Sequence, residues 1–153
     1  MPRTAPLALV VVLLTAAAPA STPASHPSRG AALELLVENT DRDTVVRIHL
    51  RRGEVFSVVY HHSIYDQPVT EDFVVDAEGR ILLRAVTSPS AAVREYFGIT
   101  SAGDRHAMAR TMPEIVFRIA AGTVQRLRAG GVERSFLDFG EHGDRLVLRA
   151  DPS

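Results

Sequence analysis

The feature that most constrains this chain is residues 55–75, VFSVVYHHSIYDQPVTEDFVV, where two apolar runs flank a polar centre. The runs are short and rich in β-branched and aromatic residues, so they read as paired strands. His61-His62-Ser63-Ile64-Tyr65-Asp66-Gln67-Pro68 between them reads as the connecting loop. Side chains along a strand alternate between two faces. In the first arm Phe56, Val58, Tyr60 and His62 share one face, and Val55, Ser57, Val59 and His61 the other. In the second arm Val69, Glu71, Phe73 and Val75 oppose Thr70, Asp72, Val74 and Asp76. The bulkier sets, even positions then odd positions, are assigned to the core.

A hairpin centred on Tyr65-Asp66 sets His62 beside Val69 and Tyr60 beside Glu71. His62 and Glu71 then become diagonal neighbours on the buried face. A carboxylate aimed into an apolar face needs a partner, and His62 is the nearest. Three roles stay open for the pair: a structural hydrogen bond, a ligand or metal contact, and a catalytic dyad. A register slip of one residue would turn both to solvent.

Other chemistries fit less well. Ser63 adjoins His62, but strand neighbours point apart, which makes them a poor nucleophile and base. There is no Gly-x-Ser-x-Gly elbow, phosphate loop or dinucleotide fingerprint. His61, His62, Glu71 and Asp72 are split over two faces, so at most two could ligate one zinc ion. Nothing in the spacing brings His49, His106 or His142 to join them. No catalytic residue, metal ligand set or cofactor is assigned, and a non-enzyme is the favoured reading.

The chain has 153 residues and a net charge of −1, with no basic-aromatic surface for nucleic acid. All 17 basic residues are Arg, and there is no Cys, which excludes disulfides, thiolate sites and a Cys-linked lipid anchor. Residues 1–20 hold Arg3, an apolar run over 7–14 and small residues at Ala18 and Ala20. That is the layout of a secretory signal peptide; an uncleaved segment would instead serve as an anchor. Residues 21–30, STPASHPSRG, read as a disordered linker. Residues 31–153 form the expected single domain, periplasmic or extracellular, with no membrane span once the signal is removed.

Further strands are expected at 33–37, 44–50, 80–86, 114–120, 123–128, 132–136 and 145–149. Between 87 and 113 the pattern changes. Ser88-Pro89 suggests a helix start, with a stop at Gly98 and with Val93, Tyr96 and Phe97 on one face. Asp104 could cap a second helix over 105–112. One long ordered loop is the alternative there. The fold class is therefore mainly β: an antiparallel sandwich or partly open barrel of about eight short strands, with one or two short helices in 88–112.

His62-Ser63, the spacer to Pro68-Val69, and Glu71, followed by strand, turn and strand, carry a resemblance. The chain resembles the exported bacterial domain-of-unknown-function family numbered 1850, loosely over residues 33–149. It departs at Thr87-Ser88-Pro89-Ser90-Ala91-Ala92, where the family has a Ser and a Gly-Ala-Gly loop. The resemblance implies an accessory role beside a TAXI-type tripartite ATP-independent periplasmic (TRAP) transporter, with transporter subunits or a small solute as partners. On this basis the expected binding or structural cluster is Tyr60, His62, Ser63, Pro68 and Glu71. The alternatives are a small hydrolase using His62 with Glu71, and a metal-binding module.

Overall fold

The computed structural model describes residues 33–152. The expected signal peptide and linker, with His26, lie outside them. Ten strands build two antiparallel sheets. The first sheet contains β1 (Leu33–Asn39), β2 (Thr44–Leu50), β7 (Glu114–Arg118) and β10 (Arg145–Pro152), in the order β2-β1-β10-β7. The second contains β3 (Phe56–His61), β4 (Pro68–Val75), β5 (Ile81–Thr87), β6 (Arg105–Met112), β8 (Gln125–Ala129) and β9 (Val132–Ser135), in the order β6-β5-β4-β3-β8-β9. The sheets do not close into a barrel, so the fold is sandwich-like with two more strands than expected. No helix of the described residues is long and apolar enough to cross a membrane.

The alternation read from the sequence decides which faces are buried. Leu33, Leu35 and Val37 of β1 meet Phe56, Val58, Val69 and Phe73 of the other sheet in one apolar cluster, completed by Ile81, Leu83, Leu127, Leu146 and Leu148. Phe56 and Phe73 are cross-strand partners and stack at 5.3 Å. β3, β4 and β5 pair in succession as an antiparallel meander, extended by β6. The β4–β5 turn has Gly79 at φ +78°, a left-handed conformation that glycine adopts without strain. Asp76 fastens that turn by accepting the N–H groups of Glu78 and Arg80.

Two expectations for residues 88–112 are corrected. The helix is a short one, α1 (Ala91–Tyr96), capped by Ser90 rather than Ser88. Ser88 is buried, and its N–H donates to the Asp104 carbonyl instead. The second expected helix, residues 105–112, is strand β6. Its Ala, Met and Arg content favours a helix, but pairing with β5 along Thr87↔Arg105 to Ile81↔Met112 prevails. Its burial alternates over the first half, with His106 buried and Met108 half-buried between exposed Arg105, Ala107 and Ala109; Arg110 and Thr111 are exposed and Met112 is half-buried.

Candidate functional site

The β3–β4 hairpin keeps the expected faces and changes the expected register. Phe56, Val58, His62, Val69, Phe73 and Val75 are buried, with Tyr60 and Glu71 half-buried beside them. The pairs, however, are Val58↔Glu71, Tyr60↔Val69 and His61↔Pro68. The hairpin is thus centred on Ile64-Tyr65. The His62 N–H donates to the Gln67 carbonyl at 2.8 Å, and the Asp66 N–H to the His62 carbonyl at 2.8 Å. Asp66 closes this four-residue loop at φ +46°, a left-handed conformation that Asp tolerates better than most residues.

The His62–Glu71 pair expected from sequence is therefore not formed. Sliding the register brings Tyr60, not His62, diagonally to Glu71, and the Tyr60 hydroxyl donates to Glu71 Oε1 at 2.6 Å. The physical demand itself holds: Glu71 points inward and has a partner. Burial pushes the Glu71 carboxyl above its ordinary range, and the Tyr60 hydrogen bond and the Arg110 charge only partly offset this. Burial, and then the Glu71 charge, likewise push the Tyr60 hydroxyl up.

His62 is 5 % exposed and sits among rings. Tyr65 stacks on it at 5.1 Å, and Tyr96 of α1 meets it edge-on at 4.6 Å. Its Nδ1 accepts the Ile64 N–H at 3.3 Å, which places the proton of the neutral ring on Nε2. No buried side-chain nitrogen or oxygen of the described residues lacks a partner, so Nε2, with none, reaches open space. His62 lines a groove of about 480 Å³ together with Tyr60, His61, Ser63, Tyr96 and Phe117, among others. Phe117 comes from β7, the edge strand of the first sheet, and meets Tyr60 at 6.3 Å. The groove thus joins the tip of one sheet to the edge of the other.

Of the five residues assigned from sequence, Tyr60, His62 and Ser63 line the groove. Glu71 holds Tyr60 from behind, and Pro68 starts the returning strand opposite His61. Ser63 is exposed and makes no contact with the His62 nitrogens. Sequence reasoning missed Tyr96 and Phe117 as groove residues. The single helical face expected for Val93, Tyr96 and Phe97 is split: Val93 is buried and Phe97 packs against the core, while Tyr96 turns outward to His62. Phe117 lies more than fifty positions after His62 in sequence, and no local pattern ties it to the hairpin.

Asp72 lies on the outer face, as the alternation requires: Ser57 Oγ donates to it at 2.6 Å and Arg105 forms an ion pair with it. His106 pairs with Ser101 Oγ at 2.9 Å and, through Nε2, donates to the Gly103 carbonyl at 2.7 Å. A carbonyl can only accept, so Nδ1 accepts from the serine, and the contact clamps the loop before β6. Among the described residues no three His, Asp or Glu side chains converge as a metal site. Compared with protein-family models, curated proteins and solved structures, the chain matches none.

Proposed function

We propose that the protein is an exported, non-enzymatic binding module that serves a TRAP-type solute transporter, with the groove at His62 as its contact site. The observation that carries the binding reading is the groove itself. Four rings, Tyr60, His62, Tyr96 and Phe117, line a pocket together with Ser63, and the Nε2 of His62 is free of any hydrogen bond among the described residues. Apolar walls with a few placed polar groups are the usual make-up of a small-molecule site. Export rests on the signal-like residues 1–20, and the transporter association rests on the family resemblance alone.

A non-enzymatic reading is favoured because His62 is bonded to neither Ser63 nor Glu71. Its Nδ1 is occupied by backbone, and Glu71 is occupied by Tyr60. A hydrolase using His62 with Glu71 would need a contact that the hairpin register removes.

The test is a thermal-shift screen of the purified protein against organic acids, amino acids and sugars, with hits followed by backbone amide NMR. A ligand present at 100 times its dissociation constant stabilises by about 2.7 kcal/mol, a readable rise in melting temperature. At least one hit is expected to move the amides of residues 61–64 and to bind more weakly to Tyr96→Ala, a change at an exposed ring. A screen whose hits all leave those amides still, or bind Tyr96→Ala equally well, overturns the reading.

A further inference from the structure

The outer face of the six-stranded sheet carries a second cavity, of about 460 Å³, which shares no lining residue with the groove. Arg84, Arg105 and Asp72 line it together with Val55, Val74 and Ala85. A β-bulge builds it. The β4–β5 register steps from Phe73↔Leu83 to Asp72↔Ala85, so Arg84 is an extra residue in β5. Two residues of the bulged strand then face one on its partner. As a result Arg84 and Ala85 both reach the cavity opposite Asp72.

The charges there are unequal. Asp72 is 8 % exposed, accepts the Ser57 hydroxyl at 2.6 Å and pairs with Arg105. That contact holds the Arg105 guanidinium in place but uses only its Nη1, and the side chain stays 61 % exposed. Arg84 is exposed and has no hydrogen-bond or ion-pair partner among the described residues. Two guanidinium groups against one carboxylate leave one positive charge beside valine and alanine walls. A guanidinium matches a carboxylate in a two-point hydrogen bond. Inorganic phosphate would leave the Val55, Val74 and Ala85 walls uncovered, so it gains less than a carboxylate that carries an apolar chain.

We propose that this cavity binds small monocarboxylates with a short apolar chain. The carboxylate lies on Arg84 and Arg105, and the chain lies against Val55, Val74 and Ala85. The inference stands apart from the function proposed for the groove.

The experiment titrates the purified protein with sodium hexanoate and follows the backbone amides of Val74, Ala85 and Ala107. Hexanol and inorganic phosphate are titrated alongside. Saturable shifts are expected with hexanoate and not with hexanol at the same concentrations. Arg84→Gln removes no hydrogen bond or ion pair among the described residues and is expected to weaken hexanoate by about tenfold, the cost of one charged hydrogen bond. Arg134→Gln, on β9 away from the cavity, is expected to leave binding unchanged. The proposal is overturned if hexanoate gives no saturable shift, if hexanol or phosphate perturbs the same amides as strongly, or if Arg84→Gln binds like the parent protein.

Discussion

Glu71 shows how a single inward carboxylate shapes its surroundings. It sits on the buried side of β4 with the Tyr60 hydroxyl as its hydrogen-bond partner. Tyr60→Phe keeps the ring and deletes the donor, and is expected to cost roughly 1–3 kcal/mol for a buried group left unpaired. The pH dependence has a definite sign. The native carboxyl is raised by burial, so above the ordinary Glu range the folded state holds more proton than the unfolded one, and stability declines as pH rises through that window. Removing the Tyr60 donor raises the carboxyl further. The Tyr60→Phe deficit should therefore be larger at pH 7 than at pH 4; urea denaturation at both values checks this, and an equal deficit would refute it. Alternation alone made it legible that Glu71 faces inward and needs a partner. The partner's identity was not legible, because it depends on Asp66 taking a positive φ and shortening the loop.

At the scale of elements, glycines decide where strands and the helix stop. Gly98 ends α1 at φ +75°, and a Cβ added there would meet nothing within 4 Å, so Gly98→Ala costs only backbone strain, about 1 kcal/mol. Gly130, at φ +58° in the β8–β9 turn, would place a Cβ 2.7 Å from the His49 carbonyl of β2. Gly130→Ala is expected to destabilise by clearly more than Gly98→Ala in urea melts, because the two sheets must also separate there; equal effects would show that the approach is slack. The stop at Gly98 was readable from the sequence, since Gly after an apolar helical face is a common end signal. The strand identity of β6 was not. Its residues have no strong strand preference, and only β5 alongside supplies the hydrogen bonds that hold it extended.

The described fold is closed by contacts between its first and last strands. β1 pairs with β10 along its full length, from Leu33↔Pro152 to Asn39↔Leu146. Asn39 at the end of β1 donates to the Phe139 carbonyl at 3.0 Å and to Asp144 at 2.9 Å. Asp144 also accepts the Glu141 N–H at 2.9 Å and pairs with Arg42, fixing the passage from the second sheet back into the first. The Glu141 N–H, then Asn39 and Arg42, hold its carboxyl at about 2, below the ordinary 3.8. A carboxyl lowered on folding stabilises above its ordinary value and loses that contribution as pH falls towards the folded one. Asp144→Asn is therefore expected to flatten the loss of stability between pH 4 and pH 2; an unchanged acid limb would count against this role. Alternation announced most of the strands. How they divide between two sheets was hidden, because the β1–β10 ladder joins segments more than a hundred residues apart and no local pattern encodes it.

The ring cluster around His62 has an optical consequence. The chain has three Tyr and no Trp, and Tyr65 and Tyr96 touch His62 while Tyr60 lines the same groove. Nearly all intrinsic near-ultraviolet absorption and emission therefore originates from one corner of the fold. A fluorescence melt of this protein reports the hairpin tip coming apart, and the outer cavity at Arg84 is silent to it.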